Sequence, residues 1–171
     1  MSWDQKFSGK IIFGDSPLFS VTPTYYERIQ HPLTARSEVD LGKGIVIDIV
    51  HDYEYPRSVM QTQSRGATFD HARSEQGNLK KLVAGRVNTA LVMNNELDTE
   101  NFPIEDSDIR QQVRVAFHST SNQHSYIGFS TQHPQGLWAL EKFKHGMRII
   151  NADKELKKRL KEKWEKSSSK K

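Results

Sequence analysis

The sequence predicts an α/β fold: an open, mainly parallel sheet with helices on both faces, followed by C-terminal helices. Three observations point there. In "GIVIDIV", Ile45, Val46, Ile47, Ile49 and Val50 leave little polar alternation, the pattern of a strand covered on both faces. Strand-like and helix-like stretches then alternate, the order that builds right-handed βαβ units. From Gly136 to Trp164 the apolar period becomes helical, with one stripe of Leu137, Leu140, Phe143 and Met147 and another of Leu156, Leu160 and Trp164.

Each element has its own signal. "KIIFG" reads as a short strand, and "SPLFSVTPTYYERI" as an extended, proline-interrupted segment offering Tyr25, Tyr26 and Ile29 for burial. After "GIVIDIV", Pro56 suits the first turn of a helix, so "PRSVMQTQ" predicts a short one ending before Ser64, Arg65 and Gly66. "ATFDHAR" alternates like a strand. Ser74 caps the next helix, whose Leu79, Leu82 and Val83 recur at three and four residues before Gly85 stops it. "RVNTALVM" is the following strand and "NNELDTENFPIEDSD" an acidic loop. "QVRVAFHS" and "SYIGFST" read as two further strands.

Composition narrows the function classes. The chain has 171 residues and is 35% hydrophobic, enough for a core. It has no apolar run near the length of a membrane span, and "MSWDQKFSGK" lacks the apolar region of a secretory signal. Cysteine is absent, which removes disulfides and thiolate metal sites. The net charge of +4 is a tail effect: residues 154–171 hold nine Lys or Arg against three Glu, so the rest is weakly acidic. That run reads as the solvated face of a terminal helix rather than a nucleic-acid surface.

In a parallel α/β sheet, ligands sit beyond the carboxyl ends of the strands. "HDYEYP" lies at such an end. Packing of Tyr53 and Tyr55, with Asp52 or Glu54 capping the helix, is the plain alternative. No nucleophile elbow, phosphate loop or H-E-x-x-H motif is present, and the seven histidines show no pair at helical ligand spacing. Glu105 and Asp106 sit in a loop with no apolar pocket implied around them, so they read as solvation rather than acid–base catalysis.

Four stretches taken in order, "FGDSPLFSVTPTYYERI", "VDLGKGIVIDIVHDYEYP", "SEQGNLKKLVAGRVNTALVMNNE" and "YIGFSTQHPQGLWALEKFKHGMRII", resemble the bacterial extracellular solute-binding proteins of family 3. These are the type II periplasmic receptors of ABC transporters. The resemblance runs from about Ile11 to Trp164. It implies two α/β lobes joined by crossing strands with ligand held between them, of which this chain supplies the second lobe and the C-terminal helices, the first lobe being absent. The implied division is a segment with the first crossing strand at 1–30, an α/β lobe at 31–120, a return crossing and helices at 121–166, and a disordered basic tail at 167–171.

Two positions carry over from the resemblance. The family's glycine and small hydroxyl residue at a helix N-terminus fall on His51 to Tyr55, here Asp52, Tyr53, Glu54 and Tyr55. The family's ammonium-binding aspartate falls on Asn94, Asn95 and Glu96. These departures point away from a standard L-amino acid. The resemblance thus implies a non-catalytic module binding a small polar solute through Asp52, Tyr53, Glu54, Tyr55, Asn94, Asn95 and Glu96, with no cofactor and no metal. A sensor or protein-interaction domain on the same fold is the alternative, and a nucleic-acid binder a third. The implied location is periplasmic and the implied partner an ABC transporter permease. The apolar face of the C-terminal helices is expected either to repack on the lobe present or to form a homodimer.

Overall fold

The structure is a computed structural model, and it describes residues 9–95, 104 and 106–168. The chain divides into two compact units, one of residues 20–124 and one of residues 1–19 with 125–171.

The larger unit is built on a sheet of the order β4-β3-β5-β2-β6, with β7 also pairing with β2. Its strands are β2 (Phe19–Arg28), β3 (Val46–Val50), β4 (Thr68–Ala72), β5 (Thr89–Asn95), β6 (Val113–His118) and β7 (Gln123–Ser125). The aliphatic strand β3 is interior, with a parallel neighbour on each side, β4 and β5. β2 runs antiparallel to both β5 and β6. The sheet is therefore mixed, and β6 points the same way as β3, β4 and β5.

Helices lie on both faces. Alternation along β3 sends Ile47 and Ile49 into one core with Tyr25, Leu41, Leu91, Phe117 and Val59. Val59 belongs to α1 (Arg57–Met60). The other core gathers Tyr26, Ala90, Val92 and Val113 with Leu79 and Leu82 of α2 (Glu75–Val83) and Ile109 of α3 (Ser107–Arg110). Fully burying one Leu or Ile contributes about 1.5–3 kcal/mol, so each face carries enough to hold its helix. Ser74 caps α2 by accepting from the Gly77 N–H at 3.1 Å, and Gly85, at φ 72°, ends the turn that follows.

The smaller unit pairs β1 (Ile11–Phe13) antiparallel with β8 (Gly128–Ser130) beside α4 (Gly136–Ala152) and α5 (Lys154–Ser168). The Phe129 and Phe143 rings meet at 5.5 Å, and Leu140 is buried. A Cβ on Gly136 would lie 1.8 Å from the Ser130 carbonyl oxygen, so only glycine lets α4 start there.

Several expectations are corrected. Ile29 is 44% exposed rather than buried, because β2 ends at Arg28 and the chain turns outward. "SYIGFST" is not one strand: β7 ends at Ser125 and β8 starts at Gly128. The helix after Pro56 is a four-residue turn, Arg57–Met60, with Pro56 itself at its N-cap, followed by a 3-10 turn at Gln63–Arg65. The sheet unit begins at Ser20, so it takes in the strand assigned to the first crossing. Ser167 and Ser168, read as tail, belong to α5, while the last three residues lie outside the described residues.

Candidate functional site

Parallel pairing decides what shares an edge. β3 and β5 pair at Ile47 with Thr89 and Asp48 with Ala90, and β3 and β4 pair through Val50 with Ala72. The loop after Val50, the chain at Asn94 and the start of α2 therefore all leave the same edge of the sheet, the one where the strands' carboxyl ends gather.

The loop at that edge is held by its own bonds. The His51 N–H donates to the Ala72 carbonyl at 2.9 Å, which extends the β3–β4 ladder by one rung. Asp52 then takes φ 65°, a left-handed conformation that Asp tolerates better than most residues, and the chain reverses. Asp52 Oδ2 lies 3.0 Å from His51 Nδ1, and the His51 and His71 rings meet edge-on at 5.8 Å. Tyr55 folds back so that its hydroxyl oxygen accepts from the Val50 N–H at 2.8 Å, with its ring against the core. Burial raises the pKa of Tyr55, and the nearby Glu75 carboxylate adds to the effect. Tyr53, half exposed, stands 6.3 Å from the Tyr55 ring, and burial followed by Glu75 raises its pKa as well.

Glu75 joins the helix to the end of β5. Beyond the last β3 rung, the Met93 N–H has no strand partner on that side, and Glu75 Oε1 accepts from it at 2.7 Å. This residue, in the first turn of α2, was not singled out by the sequence reading. Its acidic position beside a helix N-terminus is the signal that was available.

Beneath the edge lies a charged triad. Lys81 Nζ reaches Asp48 Oδ1 and Asp70 Oδ2, each at 3.1 Å, and donates to the His71 carbonyl at 2.8 Å, which uses all three of its donors. Asp48 has no exposed surface, and its Oδ2 is without a partner among the described residues. Burial raises the Asp48 pKa although Lys81 opposes it. The hydrogen bond from Lys81 lowers that of Asp70. Partial burial disfavours the Lys81 charge, but its bonds to Asp70 and Asp48 prevail and raise its pKa. With every donor committed, Lys81 ties β3, β4 and α2 together and has none left for a solute.

Of the expected residues, Asp52, Tyr53, Glu54 and Tyr55 follow β3, and Asn94 and Asn95 end β5 at the same edge. Glu96 lies outside the described residues. Among the described residues, no group of three metal-binding side chains comes together and no helix is long and apolar enough to cross a membrane.

No protein-family model and no curated protein matches the sequence. Solved structures do. An ancestral arginine-binding protein bound to arginine aligns over 96% of this chain and 67% of its own, at 16% identity and a TM-score of 0.66. The GluR0 ligand-binding core in complex with L-glutamate aligns over 96% and 68%, at 13% identity and a TM-score of 0.66. The fold is that of a periplasmic binding protein. A histidine kinase sensor domain with similarity to periplasmic binding proteins also shares it, over 92% of this chain and 64% of that one, at 19% identity and a TM-score of 0.63. This periplasmic-binding-protein-like chain spans about two thirds of the length of the structures it matches.

Proposed function

We propose that the chain is a non-catalytic solute-binding module, part of a receptor that serves an ABC transporter outside the cytoplasm. The observation that carries the reading is the parallel pairing of β3 with β5, which sends the loop at Asp52–Tyr55 and the chain at Asn94 out of one sheet edge. The related folds include proteins solved with arginine and with L-glutamate, which supports a small polar ligand.

The edge itself supports a choice of chemistry. Its backbone donors are largely committed: the Val50 N–H to Tyr55, the His51 N–H to Ala72, the Tyr53 N–H to Val50 and the Met93 N–H to Glu75. Beside them stands the exposed carboxylate of Asp52, an acceptor at the tip of the loop. Such a site favours a solute that donates hydrogen bonds, a cation or a polyol, over an anion. Binding by this edge alone is weak, because receptors of this shape enclose the ligand between two walls.

A thermal-shift screen of arginine, polyamines, polyols and glutamate, taken to tens of millimolar, tests the reading. We expect a cationic or polyol hit whose stabilising effect falls on Asp52→Ala and on Asn94→Ala. A hit unaffected by both substitutions, or stabilisation by glutamate alone, would count against it.

A sensor or protein-interaction domain is the second reading, favoured by the sensor-domain relative and by Leu137, Trp138 and Ile149 of α4, which are 59%, 62% and 49% exposed. In that case self-association through α4 is expected. Sedimentation of the wild type against Leu137→Lys/Trp138→Lys decides it, since a wild-type monomer at high concentration removes the argument.

A further inference from the structure

Arginines gather at the end of the sheet opposite the strand-end site. β2 runs antiparallel to β5, so its last residues, Glu27 and Arg28, lie where β3 and β5 begin rather than where they end. β6 sets Arg114 opposite Glu27, and the chain after β2 brings Arg36 back to the same carboxylate. None of the residues assigned to the strand-end site takes part.

Three features here point to an anion. Glu27 is 2% exposed and both of its oxygens are engaged: Oε1 accepts from Arg114 Nε at 2.7 Å, and Oε2 accepts from the Leu33 N–H at 2.8 Å with Arg36 Nη1 3.7 Å away. One enclosed carboxylate thus faces two guanidiniums, on side chains 53% (Arg114) and 63% (Arg36) exposed. Their donors, moreover, are not used up. Arg114 commits Nε alone, and Arg36 commits Nη1 to the Leu33 and Ala35 carbonyls, so both Nη of Arg114 and the Nε and Nη2 of Arg36 have no partner among the described residues. Arg28, on the other face of the same strand end, adds a further positive charge, and its buried Nε makes no hydrogen bond among the described residues. Asp40 does not offset this charge at the guanidiniums, since its Oδ2 accepts from the Arg36 backbone N–H and the Ser37 hydroxyl.

We propose that Arg36 and Arg114, held by Glu27, form a binding site for a tetrahedral oxyanion, a phosphate or sulfate group. The group accepts from Arg36 Nη2 and from the two Nη of Arg114, while Glu27 positions both guanidiniums from beneath. A planar carboxylate is matched by one guanidinium in a two-bond fork, whereas a tetrahedral group has further oxygens and up to two charges with which to meet a second. The side chains are open to solvent, so the group arrives either as a free ion or as the head of a larger molecule such as a phospholipid. The proposal shares no residue with the strand-end site and stands whether or not that site binds a solute.

The test is a titration of the isotope-labelled chain, followed by its backbone and arginine side-chain NMR signals, with inorganic phosphate, sulfate and acetate against sodium chloride at matched ionic strength. Phosphate and sulfate are expected to shift Leu33, Arg36 and Arg114 saturably, with Tyr53 and Met93 at the strand-end edge unmoved, and acetate to bind about tenfold more weakly or worse. Arg36→Gln removes an exposed side chain that only approaches Glu27, and is expected to weaken phosphate binding about tenfold. Arg114→Lys keeps a cation on Glu27 but loses the fork, and weakening is expected there too. Arg73→Gln, which removes an equal charge from the exposed chain after β4, is expected to leave phosphate binding unchanged. Vesicles of phosphatidylglycerol against phosphatidylcholine then separate the sources: co-sedimentation with the first alone, reversed by free phosphate and lost in Arg36→Gln, assigns the group to a headgroup, and a chain that binds phosphate but stays in solution takes it as the free ion.

Shifts that sodium chloride reproduces would overturn the proposal, because they would report charge screening alone. Wild-type affinity in Arg36→Gln, or the same loss in Arg73→Gln as in Arg36→Gln, would overturn it as well. Phosphate shifts confined to Tyr53 and Met93 would refute this site and count equally against the preference for a cation or polyol at the strand-end edge.

Discussion

Replacing Lys81 by Met preserves side-chain length and removes the charge that Asp48 and Asp70 share. Asp48 has no exposed surface, and with Lys81 gone neither of its oxygens retains a partner among the described residues. The carboxylate then either stays charged in apolar surroundings or takes up a proton, and protonation sets the ceiling on the cost. Neutralising a carboxyl of ordinary pKa, about 3.9, costs about 4 kcal/mol at pH 7 and about 1.5 kcal/mol at pH 5, at about 1.4 kcal/mol per pH unit. Losing the bond to the half-exposed Asp70 adds little.

The sign follows from proton counting. In the variant, folded Asp48 keeps a proton that the unfolded chain releases above about pH 4, so stability falls as pH rises through that range. In the wild type the raised Asp48 acts in that direction too, but the lowered Asp70 acts in the other, contributing stability that is lost as pH falls through its folded pKa. The wild-type profile is therefore flatter. Urea denaturation at pH 5, 6 and 7 is the assay. The expected deficit of Lys81→Met is about 3–4 kcal/mol at pH 7, shrinking to about 1–2 kcal/mol at pH 5. A deficit below about 1 kcal/mol at pH 7, or one equal at both ends of the range, would refute the reasoning.

Tyr55→Phe deletes the oxygen that accepts the Val50 N–H; it should cost about 1–3 kcal/mol and speed hydrogen exchange at Val50, and unchanged exchange would show that the bond does not hold the loop. Gly66→Ala forces an L side chain into φ 96° within 3.3 Å of the Lys43 backbone, with an expected loss of about 1–3 kcal/mol read as a lower Tm. Leu79→Ala opens a cavity under α2 and should cost about 2–5 kcal/mol in urea denaturation, whereas a loss under about 1 kcal/mol would mean that α2 is not seated on the sheet as described.

The legible parts of this fold are those in which one physical signal dominates. Ile45 to Val50 announce a doubly covered strand because burial on both faces leaves no room for alternation. Ser74 and Gly85 bracket α2 because a cap and a left-handed turn each need particular residues. Where two signals compete, the reading fails. Ile29 looks like core by its side chain, yet the end of β2 at Arg28 turns it outward. "SYIGFST" has strand composition throughout, yet pairing stops at Ser125 and resumes at Gly128.

The candidate site divides along the same line. That the loop after β3 and the chain at Asn94 share an edge follows from parallel pairing, which alternating elements predict. Which residues do the holding does not follow, because it depends on contacts between segments distant in sequence. Asp48 looks like a polar interruption in an apolar strand until Lys81, 33 residues on, supplies its partner. Glu75 looks like an ordinary first-turn acid until the end of β3 leaves the Met93 N–H open to it. Tyr55, read as a ligand contact, has its hydroxyl oxygen turned back to accept from the Val50 N–H. The consequence for ligand chemistry is concrete. The family resemblance stresses a helix N-terminus offering N–H groups at this loop, but here α1 is a single turn and the loop's own groups take the nearby donors. In the function proposed above, an edge whose N–H groups at Val50, His51, Tyr53 and Met93 are already bonded serves an anion poorly, and it is the tertiary contacts of Tyr55 and Glu75, rather than the motif itself, that favour a cation or polyol over a carboxylate.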